Sequence, residues 1–281
     1  MSVTGPAFRY HGGKFRLAQW VIRHFPPHRC YVEPFGGAAG VLLQKPRAYA
    51  EVYNDLDGDV VNFFRVIRDP ESRSRLIEAV SLTPYARVEF EEAYLPTDDP
   101  IERARRLCVR ASMGFGSAGA TKGTTGFRID SRRQYGTAQH LWAKFPANMQ
   151  AVGERFSGVL VDNDEAIKVM RAHDGPETLH YVDPPYVLST RVREGSKVYR
   201  HEMNDAQHVE LLRALRELEG MVIVSGYLSD LYSLELEGWH VNSTEARASA
   251  FRGTKKAIEV IWMNQSCFDR LHGGGLFLAV G

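Results

Sequence analysis

The sequence is short of cysteine and lacks any long apolar run, and both shortages narrow what the chain can be. Cys30, Cys108 and Cys267 are its only thiols. They lie far apart with no Cys-x-x-Cys pair, which argues against a disulfide framework and against a zinc ribbon. No run of about 18 apolar residues exists, which argues against a spanning helix. The N-terminal "MSVTGPAFRYHGGK" has no apolar signal core, and a cytoplasmic protein is expected. The ten histidines show no ligand-pair spacing; His201 and His208 stand too far apart for a simple helical pair, so no metal is implied. Repeats and low-complexity tracts are also missing. Net charge is nearly so, at +1 over 281 residues.

What charge there is lies unevenly. Residues 101–150 carry nine basic side chains against two acids, a balance of +7. Residues 151–281 carry 14 basic and 19 acidic side chains, a balance of −5. A basic segment in a neutral protein suggests a polyanion-facing surface, although a solvated helix face would look the same from charge alone.

Strand-like runs occur at Arg29–Phe35, Ala48–Tyr53, Gly158–Asp162, Leu179–Asp183, Gly220–Gly226 and Ala257–Met263. Helix-like patterns separate most of them, including Lys14–Phe25 and the capped, Gly-terminated stretch 204–220. Strands alternating with helices predict an α/β fold with a mainly parallel sheet and crossover helices. Residues 57–150 break that rhythm with helices at Asp57–Arg68, Glu71–Ser81 and Ile101–Ser112, then the stretch "SMGFGSAGATKGTTGFRID". The expected organisation is a body formed by 1–56 and 151–281, with a mainly helical subdomain inserted at 57–150.

Three segments carry chemistry. In "YVEPFGGAAGVLL" (31–43) a strand passes through a glycine turn into a helix, and such turns let backbone approach a ligand. It is not a G-x-G-x-x-G match. Asp55 follows Gly36 by nineteen residues, near the spacing at which an acid accepts ribose hydroxyls in α/β nucleotide sites. The pair favours a nucleoside ligand over a tight turn with a helix cap. In "FRYHGGKFR" (8–16), Tyr10 could cover a base or sulfonium and Lys14 could reach a carboxylate. Plain helix entry would also account for it.

The third segment is "LHYVDPPYVL" (179–188). Its prolines remove two backbone donors and bias Asp183 toward an extended conformation. Asp183 then ends a strand, where open α/β sheets bind ligands. Its carboxylate and the Pro184 carbonyl can form a stiff acceptor fork for both hydrogens of a planar exocyclic amine, and Pro185 helps to hold the fork still. Tyr186 offers a ring on which a base can stack.

With these segments in place the chain resembles the Dam-type DNA adenine-N6 methyltransferases. The resemblance rests on "FRYHGGK", "YVEPFGGAAGV", "YNDLDGDVVNFF", "YVDPPY", "SGYLSDLY" and "EVIWMN", which run in the family's order across nearly the whole chain. It implies a Rossmann-like methyltransferase sheet, with residues 57–150 as an inserted DNA target-recognition subdomain. It also implies S-adenosylmethionine as cofactor, double-stranded DNA as partner and direct methyl transfer to a flipped adenine. Carried over by position, Tyr10, Lys14, Phe35, Gly36 and Asp55 would bind the cofactor. An acid of "VDNDEA", Asp164 ahead of Asp162, would meet its adenine amine. Asp183, Pro184, Pro185 and Tyr186 would form the catalytic turn, with Asp183 also beside the cofactor. Where many relatives read "WAGGK", this chain has Tyr10-His11.

In the insert, Arg110, Lys122, Arg128, Arg132 and Arg133 are the expected DNA contacts, since Arg and Lys suit guanine's major-groove edge. Arg191, Arg193, Lys197 and Arg200 suit a loop that orders on phosphates. "FRGTKK" (251–256) reads as a charged turn or a phosphate-contacting hairpin. The apolar residues of "EVIWM" are assigned to the core. GATC is the target the family suggests. The competing readings are a cytosine-N4 methyltransferase, a nicotinamide oxidoreductase and a non-enzymatic DNA-binding module.

Overall fold

The computed structural model describes residues 2–121, 124–129, 137–190, 199–250 and 253–273, with backbone alone at 247–250 and 253–256. Seven strands form one sheet: β1 (Cys30–Glu33), β2 (Ala50–Asn54), β3 (Leu160–Asp162), β4 (Thr178–Val182), β5 (Met221–Gly226), β6 (His240–Ala250) and β7 (Gly253–Met263). Their spatial order is β3-β2-β1-β4-β5-β7-β6. The first five pair in parallel, while β7 runs antiparallel to both β5 and β6. All six expected strands form.

The long edge strand β6 is absent from the expectation. Its sequence "HVNSTEARASA" is mostly polar, because a strand at a sheet edge has little apolar surface to bury and so shows no clean period of two.

Helices fill the crossovers: α1 (Ala18–Ile22), α2 (Gly58–Arg68), α3 (Pro70–Leu82), α4 (Arg87–Glu92), α5 (Pro100–Met113), α6 (Ala138–Lys144), α7 (Pro146–Phe156), α8 (Ala166–Ala172), α9 (Asp205–Arg216), α10 (Asp230–Glu235) and α11 (Gln265–His272). Their starts follow local chemistry. The side chains of Asp57, Asp69 and Asp99 each accept backbone N–H groups at the heads of α2, α3 and α5, and Asn204 with Gln207 completes a capping box on α9. Helix α1 is shorter than the expected Lys14–Phe25, because Lys14 and its neighbours are drawn into the pocket wall.

The two faces of the sheet bury different sets. Tyr31, Tyr53, Leu179, Tyr181, Ile223 and Ile261 share one apolar cluster with α2, α5 and α7, where Phe64 stacks on Phe156 at 4.1 Å. Val32, Val182, Val224 and Trp262 join α8, α9 and α10 in the other. Of the helices expected in the insert, α2 packs on the sheet, with Phe64 4.6 Å from the Tyr53 ring, and α3 and α5 pack on α2. Among the described residues, no helix is long and apolar enough to cross a membrane.

Candidate active site

The site lies where strand order reverses. Strand β1 has β2 on one side and β4 on the other, and ligands of open α/β sheets bind in that crevice, beyond the carboxyl ends of the strands. A pocket opens there, lined among others by Tyr10, Lys14, Phe35, Gly36, Asp55 and Asp183.

Strand alternation explains why so many polar groups meet at this point. Side chains two apart share a face, and the face of Tyr31, Tyr181, Ile223 and Ile261 continues into Glu33, Asp183, Ser225 and Glu259. Tyr181 stands opposite Ile223, and Ser225 opposite Ile261. The Ser225 hydroxyl donates to Asp183 Oδ1 at 2.8 Å and lies 3.1 Å from the Tyr181 hydroxyl.

Lys14 is seated differently from the sequence expectation. Its ammonium lies 2.9 Å from Asp183 Oδ1 and 3.5 Å from Glu259 Oε1, and it donates to the Gly12 carbonyl at 3.1 Å. It also sits 4.6 Å from the centre of the Tyr186 ring. Burial opposes the Lys14 charge, but Asp183 and Glu259 outweigh it and hold the ammonium above its usual range. The lysine expected to reach a cofactor carboxylate is thus committed to the protein's own acids.

Tyr186 is also differently placed. It does not line the pocket with Asp183, Pro184 and Pro185. Its hydroxyl donates to Glu259, and its ring meets Tyr227 edge-on at 4.6 Å between centres.

The glycine loop turns tightly for a reason internal to the fold. A Cβ at Gly36 would overlap the Tyr53 ring, and Gly37, at φ +48°, would bring one to 2.7 Å from the Tyr10 ring. The space that the sequence reading gave to a ligand is shared with two of the chain's own aromatics. Asp55 closes the loop by accepting the N–H groups of Gly37 and Asp57, both at 2.8 Å. Its burial pushes the carboxyl up to about 6.

Glu33 carries a larger shift. Burial pushes it up to about 8, although the Tyr31 hydroxyl and the Leu42 N–H both donate to it, at 2.7 and 3.0 Å. The folded carboxyl therefore keeps a proton that the unfolded one loses near 4.5. Between those two values the folded state binds more protons, so stability falls as pH rises, by at most about 1.4 kcal/mol per pH unit. Glu33→Gln should flatten the decline in melting temperature between about pH 4.5 and 8. Parallel melting curves for the two proteins across that range would refute the shift.

Several other expected site residues have partners within the chain. Asp164 pairs with Lys168, one turn along α8, and its backbone N–H donates to Asn54 at 2.9 Å. The pocket wall there is Glu165, Ala166 and Ile167. Asp162 accepts the adjacent Asn163 N–H at 2.8 Å.

Arg110 faces inward, only 8% exposed, donating to the Ala93 carbonyl at 2.7 Å and to Asp59 at 2.8 Å. Arg103 holds the same Asp59 at 2.6 Å. Arg105 binds Glu89 and Glu102, and Arg106 binds Glu102. Four of the nine basic residues are thus spent on ion pairs within the chain, three of them with acids that lie outside the 101–150 window. Arg128 is buried where Gly114 and Phe127 form a short bridge, and its N–H donates to the Met113 carbonyl at 2.7 Å. Lys122, Arg132 and Arg133 lie outside the described residues, as do Arg191, Arg193, Lys197 and residues 251–252 of "FRGTKK". Arg200 is paired with Asp57 at 2.9 Å and Asp59 at 3.1 Å, beside the pocket mouth.

Glu259 and Ser225 are the participants that sequence reasoning missed. One signal was there to find: a lone acid in the apolar strand "AIEVIWM".

A seven-stranded, mainly parallel sheet with its acids gathered at the strand ends beside β1 is the architecture of a Rossmann-like methyltransferase fold. The chain belongs to the D12 class N6 adenine-specific DNA methyltransferases, whose family model matches residues 10–248. Over 265 residues it is 29% identical to the DNA adenine methylases of Escherichia coli K12 and of Escherichia coli O157:H7, covering 89% of this chain and 91% of each relative. A shorter match to the DNA adenine methylase of Serratia marcescens is 32% identical over 60 residues, 21% of this chain and 22% of that protein. The chain is therefore an enzyme that methylates the N6 amine of adenine in DNA. The cytosine-N4, oxidoreductase and non-enzymatic readings fall with that finding.

Proposed function

We propose that the pocket binds S-adenosylmethionine and that the methyl group passes directly to an adenine turned out of double-stranded DNA. The observation that carries this reading is Asp183, held at the end of β4 by Ser225 and Lys14 on the pocket wall. The chain's groups fit the cofactor. Asp55 supplies an acid beyond β2 for ribose hydroxyls, Tyr10, Phe35 and Ile167 supply flat and apolar walls, and the acids around the pocket suit a cation. When bound, the cofactor supplies an electrophilic methyl on a sulfonium.

The protein's part is positioning. Both fixed contacts to Asp183 fall on Oδ1, which leaves Oδ2, with the Pro184 carbonyl, to accept the hydrogens of the adenine amine. Holding nucleophile and methyl donor in line accounts for much of the rate, and preorganised acceptors add to it. The amine proton can leave after transfer, so no strong base is required. Asp164, turned to Lys168, yields its expected role to the Glu165–Ile167 wall.

Residues 57–150 take the DNA-reading role in this proposal. Because Arg110 supports Asp59 from within, Lys122, Arg132 and Arg133 are the stronger candidates for base and phosphate contacts, while Arg128 supports the Gly114–Phe127 bridge. In this proposal the enzyme acts on its DNA in the cytoplasm.

Incubating a plasmid with the purified protein and S-adenosylmethionine, then mapping modified bases, tests the reading as a whole. N6-methyladenine should appear within one short recurrent sequence, and a plasmid left unmodified would overturn it. The pocket is tested separately. Asp55→Ala should weaken S-adenosylmethionine binding by roughly 1.5–3 kcal/mol, the worth of a charge-assisted hydrogen bond, while DNA affinity holds. An unchanged calorimetric titration would move the ribose contact elsewhere.

A further inference from the structure

We propose that Glu259 is a positioning residue for methyl transfer, holding the Tyr186 hydroxyl and the Lys14 ammonium so that the Asp-Pro-Pro-Tyr turn keeps one geometry. The inference rests on the reading of Asp183 as the acceptor of the adenine amine.

The position of Glu259 calls for an explanation. It directly precedes four buried core residues, Val260, Ile261, Trp262 and Met263, and is itself 3% exposed. A carboxylate there costs several kcal/mol of lost hydration, and a well-packed apolar residue of similar size would serve stability as well or better. Its neighbours supply the reason. Glu259 accepts from Tyr186 and stands 3.5 Å from Lys14, which stands 2.9 Å from Asp183. One cation is thereby shared by two acids, one on the pocket wall and one behind it.

The arrangement ties both ends of the turn. Asp183 is held at its Oδ1 by Ser225 and Lys14. Tyr186, three residues on, is held at its hydroxyl by Glu259, while its ring faces Lys14 at 4.6 Å and Tyr227 at 4.6 Å. The two prolines between them stiffen the backbone but do not set the angle of either side chain. Glu259 links the two side chains through Lys14, so the acceptor and the aromatic ring stay in fixed relation. Burial, with Asp183 nearby, raises the Glu259 carboxyl while Lys14 draws it down, so the lysine is what keeps this acid able to serve.

Glu259 does not line the donor pocket, so its loss should appear in the transfer step and not in donor affinity. Single-turnover methylation at saturating donor and DNA reads that step directly. Glu259→Gln should slow it roughly 10–100-fold, the scale of a misplaced reacting group, with the dissociation constant for S-adenosylmethionine within about twofold. Tyr186→Phe should slow it too. The double variant should fall well short of the product of the two losses, as residues acting through one contact do. A normal Glu259→Gln rate, fully multiplicative losses, or an effect confined to donor affinity would each overturn the proposal. Should Glu259→Gln fail to fold, Tyr186→Phe decides alone, because it removes the contact while leaving the acid in place, and a normal rate refutes it. Asp183→Ala, run in parallel, separates the two ideas. If it is slow while Glu259→Gln is normal, this inference alone fails. If it is itself normal, the acceptor reading and this inference fall together.

Discussion

Asp183→Ala should transfer methyl groups about 100–1000-fold more slowly than the unaltered enzyme, the usual cost of losing a preorganised electrostatic contact. The loss should appear with the fold intact. Ser225 keeps its contact with the Tyr181 hydroxyl at 3.1 Å, and Lys14 keeps Glu259 at 3.5 Å, so the neighbours of the missing carboxylate retain partners. Asp183→Asn should be nearly as slow, because an amide cannot offer two anionic acceptor oxygens. Labelled methyl incorporation into DNA, compared at matched protein concentration with melting temperature as the control for folding, decides the matter. Turnover close to normal in a folded Asp183→Ala protein would remove the residue from the mechanism.

The second large effect is expected at Lys14. Lys14→Met takes away the one cation that Asp183 and Glu259 share, and removing one partner of a buried pair typically destabilises by about 3–5 kcal/mol. The penalty should depend on pH in a defined direction. Glu259, already raised by burial, rises further without the lysine. The folded variant then holds a proton that the unfolded chain gives up near 4.5, so its stability falls as pH climbs above that value. The gap in melting temperature between Lys14→Met and the unaltered protein should therefore be smallest near pH 4.5 and widen toward neutrality. Methyl transfer should drop more than donor affinity. The contrary pattern, weaker S-adenosylmethionine binding with a stability gap that ignores pH, would return Lys14 to the cofactor contact that its sequence position suggests.

The basic segment shows how a charge count can mislead. Arg103 and Arg110 are seven apart, which places them on one face of α5, and that face meets Asp59 at the head of α2. A window covering 101–150 counts the arginines and omits Asp59 and Glu89, which satisfy them. The same limit applies to Asp164, whose sequence position suits the cofactor while its carboxylate turns back to Lys168 four residues on.

What the sequence by itself determined is what depends on neighbours in the chain. The strand-like apolar runs specified six strands, the Asp57, Asp69 and Asp99 caps started their helices, and the glycine turn and "DPPY" marked two strand ends that the crevice beside β1 brings together. The tertiary structure alone decided which charges meet. Lys14, Asp183, Ser225 and Glu259 come from four separate stretches of the chain and share a site only because β4, β5 and β7 pair in one register, with the N-terminal loop folded over their ends. An ion pair between groups some 170 residues apart leaves no periodic trace in the sequence. It is set by strand register and burial, which shifts the cost of each charge and so selects its partner.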